Sequence, residues 1–185
     1  ELMINQYGAD AVRWFILSDS PPEKDVQWSD TGVASANKFL QKIWNLNYQI
    51  SKRKDKQGGR QVEIKFEKKI NSFIYKIDQS IMNFRFNVSI ALFYELYNFF
   101  RDQLNKDITN KLLQKNIINT MKLMIPFTPH LAYESLELLK CKNVDKWPDI
   151  DKINVSEEIK LAIQVNGKTR DIINIIKDTE ESDLK

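Results

Sequence analysis

The side chains able to do covalent chemistry are few and isolated. His130 and Cys141 are the single histidine and cysteine of the 185 residues. A general base needs a partner that orients it, and none can be assigned to His130, which is expected to be structural or solvent-facing in the first turn of a helix. Ser80 and Ser135 lie in helical patterns with no histidine placed beside them. Cys141 reads as an inert thiol near a helix end, and one His with one Cys is too few for a usual zinc site. No Gly-rich phosphate loop is present. No catalytic or metal-ligating residue is therefore assigned.

The cations are more suggestive. Lys38 and Lys42 stand four residues apart, hence on one helix face. Lys52, Arg53, Lys54 and Lys56 continue the charge past that helix, and Arg60 and Arg85 add to it. Lysine and arginine on phosphates supply most non-specific nucleic-acid affinity. A plain solvated face, with lysines favoured near a helix C-terminus, explains the same residues. The net charge of +3 decides nothing between these readings. Trp14 and Trp44 fall in apolar stripes and are expected in the core. Trp28 sits in a loop, and Trp147, just before Pro148, is expected to plug the end of a bundle.

The elements that would hold these residues are helices. Apolar residues make up 42% of the chain, enough for a core, and five Gly and five Pro favour long helices. The first helix is expected over 1–18, weakened at Gly8, with Asp10 a natural N-cap. Ser18 to Pro22 must be a loop. Ser29 or Asp30 caps a helix over 30–51, with Val33, Ala36, Leu40, Ile43, Trp44 and Ile50 as its stripe. Further helices are expected over 63–82, 84–104 and 108–125. The last begins at Pro129, with Thr128 as N-cap and Phe127 stapled onto Ala132, and runs to about residue 140. Short links between such helices predict an up-and-down bundle.

The period then changes. Ile159, Leu161, Ile163 and Val165 alternate with polar or small residues, Asn166-Gly167 is a strong hairpin signal, and 168–176 is the expected return strand. Thr179-Glu180-Glu181 reads as a helix start. A lone hairpin is marginal in water, so it either packs on the bundle or belongs to a domain mostly absent. No run of about 18 apolar residues exists to span a membrane. The opening Glu-Leu-Met-Ile-Asn-Gln lacks a signal-peptide design and reads as mid-helix, so the chain is expected to be a piece of a longer protein. One unpaired cysteine fits a reducing, cytoplasmic compartment.

Several stretches, in order, resemble one family. Tyr7-Gly8-Ala9-Asp10, Arg13, Ser20-Pro21-Pro22-Glu23-Lys24-Asp25, Trp28-Ser29-Asp30 and Gly32-Val33 resemble the segment after the Lys-Met-Ser-Lys-Ser loop of leucyl-tRNA synthetases. Phe39, Trp44 and Asn45 match a helix shared with the isoleucine and valine enzymes. Phe86-Asn87 with Ala91 is similar to the family's Phe-Asn-Thr-Ala-Ile, with Val88 and Ser89 departing from it. Pro126-Phe127-Thr128-Pro129-His130, Trp147-Pro148 and Gln164-Val165-Asn166-Gly167-Lys168-x-Arg170 resemble the leucine enzyme in particular.

The resemblance implies a parent class I leucine–tRNA ligase that uses ATP, with Mg, to activate leucine and charge tRNA(Leu). Its catalytic centre would lie upstream, and this piece would itself need no cofactor. The implied fold is a mainly α, up-and-down anticodon-binding bundle at 29–148. A connector at 1–28 would precede it, with Arg13 and Trp14 buried there, and the truncated β-hairpin of an α+β C-terminal domain would follow at 157–185. The parent is expected to be a cytoplasmic monomer. The tRNA-binding candidates, chosen for charge and expected exposure, are Lys38, Lys42, Arg53, Arg85, Lys168 and Arg170. The alternatives are the corresponding region of an isoleucyl- or valyl-tRNA synthetase, or a helical protein-interaction module.

Overall fold

The computed structural model describes residues 2–19, 21 and 23–149, together with the backbone of 158–165 and 168–176. Seven helices form among these: α1 (Leu2–Tyr7), α2 (Ala9–Asp19), α3 (Asp30–Lys52), α4 (Arg60–Met82), α5 (Phe86–Gln103), α6 (Asn110–Met124) and α7 (Pro129–Leu138). The protein is mainly helical, as its 3.6-residue patterning predicts. Gly8 separates α1 from α2 at φ +85°, a backbone state that glycine adopts at little cost.

The buried stripe of α3 runs through Val33, Ala36, Phe39, Leu40, Ile43, Leu46 and Ile50. That of α4 runs through Phe66, Ile70, Phe73, Ile74 and Ile77. Ser29 caps α3, its hydroxyl oxygen accepting from the Gly32 amide at 3.1 Å. A Cβ at Gly32 would strike the Phe15 ring, so glycine there sets how closely α2 and α3 approach. Trp14, on α2, is wholly buried, with ring centroids 5.4 Å from Phe39, 5.9 Å from Phe93 and 6.3 Å from Phe127. Segment α2 is thus part of the core, packed on α3, α5 and α7.

Sequence neighbours are not always packing neighbours. Helix α4 packs on α5 and α6, while α3 packs chiefly on α2, α6 and α7. This departs from a simple up-and-down order, because the connections at 53–59 and 104–109 are long enough to carry the chain past the adjacent position.

Two helix ends break an expectation about glycine. After α4, Phe84 takes φ +55°, the Phe84 amide donates to Ile81 O at 3.0 Å, and the Arg85 amide donates to Ser80 O at 2.8 Å. After α7, Lys140 takes φ +56°, with Lys140 donating to Glu137 O and Cys141 to Leu136 O, both at 2.9 Å. Both are Schellman closures with a side-chain-bearing residue in the left-handed position usually filled by glycine.

Strands β1 (Glu158–Val165) and β2 (Lys168–Ile176) pair antiparallel. Ile163 is opposite Asp171 and Gln164 opposite Thr169, so the register shifts by one at Arg170. The Asn166-Gly167 turn and the helix start at Thr179 lie outside the described residues.

Candidate nucleic-acid interface

Between Asp30 and Arg53, α3 carries Lys38, Lys42 and Lys52 and no acidic residue. Its buried stripe turns Lys38 and Lys42 outward, where both are exposed, and neither ammonium lies within ion-pair distance of a carboxylate among the described residues. They line a groove of about 420 Å³ together with Ser35, Phe39, Tyr94, Tyr97 and Asn98. Helices α3 and α5 are not principal backbone partners, and aromatic rings fill the gap between them. Phe39 and Tyr94 lie 3.9 Å apart between centroids, and Phe39 and Tyr97 5.6 Å. The groove therefore has a cationic rim and an aromatic floor.

Two other depressions differ in charge. A larger cleft of about 640 Å³ between α4 and α6 sets Lys68 and Lys115 against Glu67 and Asp149. The two signs cancel, so it offers no net attraction to a polyanion. Arg85 and Lys76 line a third, of about 400 Å³, with Tyr75, Gln79 and Asn83. Arg85 is exposed in the turn between α4 and α5.

The six sequence candidates do not form one cluster. Lys38 and Lys42 share the α3–α5 groove, and Arg85 lies in the separate α4–α5 depression. Arg53 is engaged within the protein. Its guanidinium donates from Nε to Leu104 O at 3.2 Å, from Nη1 to Ile108 O at 2.9 Å and from Nη2 to Lys106 O at 3.2 Å. Held on three carbonyls, Arg53 clamps the 104–108 turn to the end of α3. Lys168 and Arg170 fall on β2, where only the backbone is described.

Other expectations also change. Arg13 is exposed rather than buried, 3.9 Å from Asp10. Trp44 is only half-buried. Trp147 remains 40% exposed, with its indole N–H donating to the buried Asp78 carboxylate at 3.0 Å. Thr128 makes no side-chain cap bond. The cap of α7 comes instead from Asp10, which lies in the first turn of α2 rather than capping it. Asp10 Oδ2 accepts from the Leu131 amide at 2.8 Å, and Oδ1 lies 2.9 Å from Nδ1 of the exposed His130. His130 thus has a partner that no local spacing announced.

The groove residues not anticipated were Ser35, Tyr94, Tyr97 and Asn98. A signal existed: Tyr94, Tyr97 and Asn98 recur at i, i+3 and i+4 on one face of α5. No group of three or more potential metal ligands occurs among the described residues. Nor is any of their helices long and apolar enough to cross a membrane.

Residues 63–184 match the family described as the anticodon-binding domain of tRNA ligase. Along almost its whole length the chain is also similar to curated leucine–tRNA ligases. It is 35% identical to that of Fervidobacterium nodosum over 99% of this chain and 24% of the relative. It is 36% identical to that of Prochlorococcus marinus AS9601 over 100% and 22%, and 35% identical to that of Thermotoga maritima over 99% and 24%. The chain thus spans about a quarter of the length of these relatives. A solved structure of similar fold is the LeuRS of Agrobacterium radiobacter K84 in a ternary complex with tRNA and LeuAMS. It gives a TM-score of 0.76 at 22% identity, covering 99% of this chain and 25% of that one.

Proposed function

Because the chain belongs to the anticodon-binding domain family of tRNA ligases, we propose that it holds tRNA(Leu) for a leucine–tRNA ligase whose catalytic centre lies elsewhere. The observation that carries this reading is the acid-free face of α3, with Lys38 and Lys42 over an aromatic-floored groove and no carboxylate partner among the described residues. In this reading Lys38, Lys42 and Arg85 hold phosphates, which orients an RNA without reading its sequence. Lys168 and Arg170 join them from the hairpin. Arg53 serves the same surface indirectly, by fixing the turn beside α3.

The bundle acts as a spacer. Packed helices keep the phosphate-binding side chains at fixed separations, and the benefit to catalysis is orientation of the acceptor end. Leucine, ATP and Mg belong to the catalytic part of the parent, a cytoplasmic monomer. Residues 1–28 lead from that part into the bundle of 29–148, with α2 packed into its core. The hairpin within 157–185 opens a small α+β C-terminal domain.

The test uses the full-length ligase. Lys42→Ala and Arg85→Ala should each weaken tRNA(Leu) binding and reduce the slope of log affinity against log salt by about 0.7–0.9. ATP-dependent leucine activation should be unchanged, and the isolated piece should charge no tRNA. Unaltered tRNA affinity in both variants would overturn the proposed RNA face. Binding insensitive to salt would favour a protein-interaction module.

A further inference from the structure

The groove between α3 and α5 holds an aromatic ring in a geometry that simple core packing does not require. Tyr94 lies against Phe39 at 3.9 Å between centroids, with an interplanar angle of 37°. Its hydroxyl accepts from the buried Trp14 indole N–H at 3.3 Å. The ring is thereby fixed at two points, yet Tyr94 as a residue remains 38% exposed. Around it stand Lys38 and Lys42 one helical turn apart, with Ser35 and Asn98. Ser35 has donated its hydroxyl to Thr31 O at 2.8 Å. The Asn98 side chain makes no hydrogen bond among the described residues and offers both a donor and an acceptor.

An immobilised ring with an open part, cations beside it and a free amide at its edge is the composition of a site for an unpaired nucleotide. Every base has a π-face that an aromatic side chain can stack on, whereas a duplex keeps its faces covered by neighbouring pairs. Cations alone would suit a duplex equally well, and it is the partly exposed tyrosine that selects. We infer that Tyr94 stacks an unpaired base of the bound RNA, with Lys38 and Lys42 on the flanking phosphates and Asn98 on the base edge. This rests on the RNA-binding reading above and adds a position and a structural class of nucleotide to it. The site is pre-organised, since Phe39 and Trp14 have already removed the freedom of the ring before RNA arrives.

The experiment measures binding of the full-length ligase to three probes: a tRNA(Leu) transcript, a single-stranded RNA hexamer containing 2-aminopurine, and a blunt RNA duplex. The proteins are the unaltered ligase, Tyr94→Leu, Tyr94→Phe and Lys38→Ala. Tyr94→Leu should weaken hexamer and tRNA binding roughly tenfold, leave the duplex within twofold, and abolish quenching of 2-aminopurine. Its salt slope should stay the same, because stacking releases no counterions. Tyr94→Phe keeps the ring and should stay within about twofold of the unaltered ligase. It also separates loss of stacking from loss of the Trp14 tether. Lys38→Ala should lower the salt slope for all three probes. Equal binding of hexamer by the unaltered ligase and Tyr94→Leu overturns the stacking site, while the RNA face stands if Lys42→Ala still weakens tRNA. An equal loss in Tyr94→Leu and Tyr94→Phe also overturns it, since the ring would then matter only through its hydroxyl. If no probe binds in a salt-dependent way, both readings fall.

Discussion

The two ends of the basic run in α3 and its connection put like charges to opposite uses. Lys38 and Lys42 face outward over an open groove with no carboxylate in ion-pair reach among the described residues. Arg53, less than a dozen residues further on, turns its guanidinium onto the carbonyls of Leu104, Lys106 and Ile108. Lys122 resembles Arg53: it is 7% exposed, and its ammonium donates to Lys146 O at 2.9 Å. A planar fork suits several carbonyls at once, and a carbonyl-rich turn needs donors. The lesson is that a basic stretch is not a surface property of the sequence. Its members divide according to which unsatisfied backbone lies within reach.

The contrast is open to attack first at Arg53. Arg53→Ala should lower the unfolding free energy by about 2–3 kcal/mol, since it strips charge-assisted donors from three carbonyls, two of those bonds partly buried. Lys42→Ala should leave the urea midpoint in place. Arg53→Lys should recover little, because one ammonium cannot span the same acceptors. A stability loss in Lys42→Ala equal to that in Arg53→Ala would dissolve the distinction.

A smaller effect is expected from Asp10→Ala, which removes the α7 cap and the His130 partner. A loss of about 1–2 kcal/mol in a urea titration is expected. No loss would mean that solvent caps α7 equally well. The smallest change should be a gain: Lys140→Gly relieves a left-handed backbone and should raise stability by about 0.5–1 kcal/mol, read from the same titration. A loss there would show that the lysine side chain offsets its own backbone cost.

What was legible in the sequence is what local periodicity encodes. The α3 and α4 stripes, the Ser29 cap, the break at Gly8 and Pro129 at the head of α7 all follow from residues within one or two turns of each other. The groove was half legible. Lys38 and Lys42 announce a face by their own spacing, but Tyr94 joins them only through a helix packed alongside. The internal role of Arg53 had no local signal, because its acceptors lie 51 to 55 residues away. The helix ends at Phe84 and Lys140 gave no sign, since neither is the glycine that usually marks a left-handed closure. The cap of α7 was sought in Thr128, the adjacent residue of the right type, and was supplied from 121 residues upstream.

That last span has a bearing on synthesis. Trp14 and Asp10 are made before Phe127 and Leu131, which cover the one and donate to the other and emerge more than a hundred residues later. Until then a growing chain holds a large aromatic ring without its full cover and a carboxylate without its backbone donor. Closure of the bundle is therefore a late event on the ribosome, and a polypeptide stopped before Leu131 would lack the latch that joins α2 to α7.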